Sequence, residues 1–132
     1  MKIFIGQGVT GEDKEKLKQE CAKIVSTLEG NGHNVYCTIL LGEDFERSMA
    51  REKMAHAFEQ INDYDIFLAI LRNNNKSEGM LMEIGYAIAR GKKIVLVKHI
   101  GVSDTYLHEM ADMIIKYSNL EELNEKLKGA EI

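Results

Sequence analysis

Apolar residues in this chain recur in two rhythms, and the rhythms alternate. Residues 2–5 form a short apolar run, Lys2-Ile3-Phe4-Ile5, that ends in glycines and predicts a strand. Residues 12–29 then carry Leu17, Cys21, Ile24, Val25 and Leu28 at helical spacing, and Gly30-Asn31-Gly32 stops that helix. The β-branched and aromatic content of residues 34–41 predicts a second strand. Residues 43–62 return to helical period through Met49, Met54, Phe58 and Ile61. A continuous apolar run over 66–71 predicts a parallel strand covered on both faces. An asparagine-rich loop follows, then a helix over 79–89 closed by Gly91, then a second continuous strand at 94–97. A short helix over 103–110, a strand over 113–117 and a helix over 120–128 complete the pattern.

Regular alternation of strand and helix predicts one domain over residues 1–132: an α/β fold with an open, mostly parallel sheet and helices on both faces. Right-handed crossovers leave few topologies, and a flavodoxin-like five-stranded order 2-1-3-4-5 is the one expected. Such sheets bind ligands beyond the carboxyl ends of the strands, near the switch in strand order. Here that means the loops at 6–11 and 72–79.

Composition narrows the partner. Seventeen basic against twenty-one acidic residues give a net charge of −4, so no general electrostatic case exists for nucleic acid or an anionic membrane. A small ligand is the default. Cys21 and Cys37 have no metal-ligand spacing, and His33, His56, His99 and His108 have none either, so no metal or cofactor is expected. No apolar run approaches ~18 residues and the chain enters its first strand at once, which predicts a cytoplasmic protein without a membrane span.

Three motifs carry candidate chemistry. The first is Glu83, the one ionisable acid in an otherwise apolar stretch, Gly79-Met80-Leu81-Met82-Glu83-Ile84-Gly85-Tyr86-Ala87. A helix apolar on nearly every side is expected to be enclosed. An enclosed carboxylate is costly unless something holds it; Tyr86, one turn on, could keep it ionised, or be a core aromatic. The second is Ser77-Glu78-Gly79, where a capping serine and the free amides of a first helical turn suit an anion or a sugar hydroxyl. At 1.5 Å rise, cap and carboxylate lie less than ~10 Å apart. The third, Gly6-Gln7-Gly8-Val9-Thr10-Gly11, has the G-x-G-x-x-G form of a dinucleotide site. The acidic residue such a site needs ~20 positions on is missing, since Glu43 and Asp44 come too late, and Glu12 and Asp13 would repel a pyrophosphate. A plain glycine-rich turn that lets a smaller ligand near Gly6 and Gly8 is the stronger reading.

The chain resembles the nucleoside 2-deoxyribosyltransferase-like superfamily, which includes deoxynucleoside 5′-monophosphate N-glycosidases. The resemblance rests on Ile3-Phe4-Ile5-Gly6 with its turn, Asp65-Ile66-Phe67-Leu68-Ala69, and above all the block from Ser77 to Ala87 followed by Gly91-Lys92. It implies Glu83 as the nucleophile on C1′ of the sugar, passing the glycosyl group to water or to another base, with Ser77 and Gly79 contacting phosphate or sugar. It also implies paired subunits, for which the helix with Met49, Met54 and Phe58 offers a packing face. The chain departs from the family where it has Ile3, Ile70 and Ala57, which leaves Asp63 and Asp65 as the nearest acids to protonate the leaving group. These departures also motivate the alternative of a catalytically silent nucleotide-binding protein.

Overall fold

The computed structural model describes residues 1–40 and 49–132. The expected Glu43 and Asp44, and the first residues of the helix read over 43–62, lie outside them. Five parallel strands form one sheet in the order β2-β1-β3-β4-β5, as the pattern predicts. The strands are β1 (Lys2–Gln7), β2 (Asn34–Cys37), β3 (Ile66–Leu71), β4 (Lys93–His99) and β5 (Met113–Tyr117). Helices α1 (Lys14–Gly30), α2 (Ala50–Asn62), α3 (Glu78–Ala89), α4 (Tyr106–Met110) and α5 (Leu120–Gly129) connect and cover them.

The continuous apolar runs follow from burial on both faces. Successive side chains of a strand point to opposite sides, so Ile3, Ile5, Ile66, Leu68, Ile70, Val95 and Val97 enter one core with α1 and α5. Phe4, Phe67, Ala69, Ile94 and Leu96 enter a second core with α2 and α3. Ile3, Ile70 and Ala57, the family departures, are all core residues, each at most 1% exposed.

Local chemistry ends the elements where it should. Asp13 is the α1 N-cap, its Oδ1 accepting from the backbone amides of Glu15 (2.9 Å) and Lys16 (3.3 Å). The expected second strand is shorter than its sequence pattern. β2 pairs only with β1 between Lys2 and Ile5, and after Cys37 the chain turns into a 3-10 segment, Thr38–Leu40. That turn carries Thr38 and Ile39 over the end of the sheet.

The expectation that the Glu83 helix is enclosed all round is corrected. Met80, Ile84 and Ala87 are buried, whereas Leu81 and Met82 are 40% and 54% exposed. α3 therefore has one core face and one apolar face open to solvent. No helix among the described residues is long and apolar enough to cross a membrane.

Candidate active site

A cavity of about 260 Å³ opens beyond the carboxyl ends of β1 and β3. The end of β1 gives Gln7 and the loop after it Val9, the 3-10 turn gives Thr38 and Ile39, α2 gives Lys53 and Met54, and α3 with its cap gives Ser77, Gly79, Met80 and Glu83. Lys14, the first residue of α1, completes the wall. The volume lies at the small end for ligand pockets, roughly 300–1,000 Å³, and suits one compact molecule.

Glu83 is the carboxylate of this cavity. It is half-buried, and burial pushes its pKa up to about 7. No hydrogen bond or ion pair to it exists among the described residues, so the charged form loses solvation without local compensation. Ser77 caps α3, its Oγ accepting from the Met80 amide at 3.3 Å. Cap and carboxylate thus flank the cavity on a single rigid helix.

The opposite wall carries two lysines. α1, α2 and α3 all begin at this end of the sheet, α1 with the Asp13 carboxylate already on its first amides and each with an acid in its first turn, Glu15, Glu52 and Glu78. Lys14 and Lys53 stand in the first turns of α1 and α2, where a cation opposes the dipole. Such placement is unfavourable for the helices alone and fits an anionic ligand in front of them. Sequence reading missed both lysines, although a lysine in a helix's first turn after a carboxyl-end loop is a legible signal. It also missed Gln7, read only as part of the glycine motif.

The glycines fill structural roles. A Cβ on Gly6 would fall 2.3 Å from Phe67 Cζ, so Gly6 makes room for a core ring rather than for ligand. One on Gly8 would sit 3.1 Å from the Ser77 Cβ, so Gly8 lets the loop after β1 press against the α3 cap. Gly11 has a φ of +81° with Asn75 Nδ2 2.6 Å from its Cβ position. Gly79 lines the cavity facing Met54 Sδ, 3.7 Å from its Cβ position.

The asparagine run fastens the rim. Asn73 Nδ2 donates to Glu12 Oε1 (2.9 Å), Asn75 Nδ2 to the Thr10 carbonyl (3.2 Å), and Asn74 Oδ1 accepts from the Ser103 amide (2.9 Å). Loops after β1, β3 and β4 are thereby tied together. Three expected residues lie elsewhere. The Tyr86 hydroxyl donates to Asn62 Oδ1 (2.8 Å) and its ring stacks on Phe58 at 4.6 Å, so it does not hold Glu83. Asp65 accepts from the Lys2 amide (2.9 Å) and Asp63 ends α2, both at the amino ends of the strands and away from the cavity. Among the described residues no three His, Cys, Asp or Glu side chains gather as a metal site would require.

Sheet order and cavity together define a flavodoxin-like α/β protein with a small cavity at the carboxyl ends of its strands. More narrowly, the chain belongs to the nucleoside 2-deoxyribosyltransferase family, whose model matches residues 9–117. Among solved structures it is similar to the CMP N-glycosidase BcmB of Clostridium botulinum, at 25% identity and a TM-score of 0.72 over 96% of this chain and 97% of that one. It is similar in fold to a 2-deoxyribosyltransferase of Bacillus psychrosaccharolyticus (19% identity, TM-score 0.69, 100% and 93% covered). A conserved protein of Enterococcus faecalis V583 shares the fold at 14% identity and a TM-score of 0.68, with 97% of each chain covered. No curated protein sequence matches the chain.

Proposed function

We propose that this protein cleaves the N-glycosidic bond of a nucleoside 5′-monophosphate, with Glu83 as nucleophile. The observation that carries the reading is a carboxylate without a partner among the described residues and two lysines lining one small cavity. A nucleotide presents the matching pair, a sugar carbon that becomes cationic and a phosphate. The pairing is also what the likeness to a CMP N-glycosidase supports. A 5′-phosphate sits against the Ser77 cap, Gly79 and the two lysines, which leaves C1′ toward Glu83.

The chemistry follows from the environment of the acid. Breaking the glycosidic bond develops an oxocarbenium-like charge, and a desolvated carboxylate gains more from that charge than a hydrated one. A Glu83 oxygen forms a bond to C1′ as the C1′–N bond breaks. The base leaves with that electron pair and takes a proton from solvent. Water then attacks C1′ of the glycosyl ester, releasing the sugar phosphate and restoring the carboxylate. A second base in place of water gives transfer instead of hydrolysis.

A catalytically silent nucleotide-binding protein is the second reading. It is favoured by one observation: Glu83 is the sole carboxylate among the described cavity residues. Base release from ribo- and deoxyribonucleosides and their 5′-monophosphates, followed by chromatography with Glu83→Ala beside the wild type, decides between them. Release by wild type alone supports the enzyme. Binding without release from any member supports the silent protein.

Self-association belongs to the same proposal. Leu81 and Met82 on α3, with Met49 at 71% exposure before α2, offer the apolar surface, whereas Met54 faces the cavity and Phe58 stacks on Tyr86. A two-fold pair would cover the open face of α3. Light scattering at micromolar concentration is expected to give a dimer, and a monomer would remove this part. Both cysteines are free thiols, which fits a reducing cytoplasm.

A further inference from the structure

The two cysteines do not behave as separate core residues. α1 packs on the sheet through Leu17, Ile24 and Leu28 and so brings Cys21 against the end of β2, where Cys37 stands. Both thiols are buried and share one side chain. Gln7 Nε2 lies 2.8 Å from Cys21 Sγ and 3.5 Å from Cys37 Sγ, and Gln7 Oε1 accepts from the Cys21 thiol at 3.1 Å. Arg72 adds a guanidinium, with Nη1 2.6 Å from Gln7 Oε1 and Nη2 3.8 Å from Cys21 Sγ.

Inert core thiols need none of this. A buried cysteine packs as a small hydrophobe, whereas here an amide and a guanidinium, the latter also paired with Glu20 Oε2 at 3.1 Å, close on the Cys21 sulfur. The Cys37 thiol, Gln7 and Arg72 pull the Cys21 pKa down to about 6 against the effect of burial, while Cys37 is pushed up and keeps its proton. One sulfur is thus a thiolate and its neighbour a thiol, the division of labour between an attacking and a resolving cysteine.

We propose that Cys21 and Cys37 form a peroxide-oxidised pair that closes to a reversible disulfide beside the cavity. The Cys21 thiolate attacks one oxygen of hydrogen peroxide, the O–O bond breaks, and the released hydroxide takes a proton to become water. Cys21 is then a sulfenic acid. The Cys37 sulfur attacks the Cys21 sulfur, the S–O bond breaks, and the hydroxyl leaves with the Cys37 proton as a second water. Two electrons have passed from the sulfurs to peroxide, and a dithiol returns them. The disulfide takes the Cys21 sulfur out of its hydrogen bonding with Gln7. Gln7 lines the cavity, so the redox state reaches the ligand site through that side chain.

The test uses the reduced full-length protein and hydrogen peroxide. Expected are loss of both free thiols, a mass lower by two hydrogens, a Cys21 to Cys37 linked peptide, and recovery with dithiothreitol. Cys37→Ser is expected to trap a sulfenic acid on Cys21 with dimedone, and Cys21→Ser to leave Cys37 unreacted. Two intact thiols after peroxide treatment that oxidises free glutathione would overturn the proposal, as would oxidation no faster than global unfolding. Wild-type data alone suffice should either variant fail to fold. Base release is expected to fall severalfold on oxidation and return with dithiothreitol, and unchanged release would overturn the link through Gln7. Thiol chemistry is read without turnover, so failure here and failure of the glycosidic reading are separate results.

Discussion

At the amino ends of the strands, Asp65 accepts from the Lys2 amide at 2.9 Å and Asp112 from the Ile94 amide at 2.8 Å, so each carboxylate secures the start of a strand. At the carboxyl ends Glu83 is half-buried where those two are exposed, and among the described residues it has no hydrogen-bond or ion-pair partner. The same functional group is structural at one rim and uncompensated at the other. A carboxylate tied to a strand amide is accounted for by the fold, whereas a half-buried one that faces a cavity without a described partner is not, and that is the reason for the role proposed for Glu83.

The largest expected effect that separates the two rims is at Glu83. Glu83→Gln is expected to lower base release at least ~10³-fold, about 4 kcal/mol of transition-state stabilisation. It is also expected to stabilise the protein at high pH. The folded carboxyl holds its proton up to about 7, above its ordinary 4.5, so the folded state binds more protons than the unfolded state across that window. Stability therefore falls as pH rises from 4.5 to 7, by up to about 3 kcal/mol, and is level above it. Urea denaturation at pH 8 and pH 4 checks this, with the Gln variant gaining at pH 8 only. In the wild type kcat/KM is expected to rise with pH through about 7, as the nucleophile ionises.

Next in size are the two cavity lysines. Lys14→Ala is expected to raise KM for a 5′-monophosphate about tenfold, roughly 1.4 kcal/mol, and to leave the nucleoside unaffected. Equal effects on both substrates would move the phosphate away from the α1 terminus. At the other rim, Asp65→Ala is expected to cost about 1 kcal/mol of stability and to leave kcat/KM unchanged. A loss of turnover there would erase the distinction between the rims. The smallest effect is expected at Tyr86. Tyr86→Phe loses one exposed hydrogen bond to Asn62, about 0.5 kcal/mol, without moving the pH midpoint of activity.

The fold was legible because its central strands are buried twice over. Ile66–Leu71 and Ile94-Val95-Leu96-Val97 have no polar positions, which only a covered parallel strand allows, and the sheet order follows from the alternation. Ser77 as a cap and Glu83 near it were legible because both belong to one helix with a fixed rise. What faces what across elements was not. Tyr86 has the right spacing to meet Glu83, yet packing against Phe58 turns its hydroxyl to α2. Asp65 reads as a residue next to a strand, and which end of the sheet that means depends on chain direction, which places it at the rim opposite the cavity. Lys14 and Lys53 come from helices far apart in sequence, and only the converging N-termini bring them to one wall.

Covalent capture tests the central claim most directly. The wild type is mixed with the 5′-monophosphate it cleaves, quenched in acid within one turnover, digested and mapped by mass spectrometry. Expected is one sugar phosphate on the peptide that contains Glu83, absent from Glu83→Gln. Turnover by the wild type with no adduct on that peptide, together with base release retained by Glu83→Gln, would contradict it.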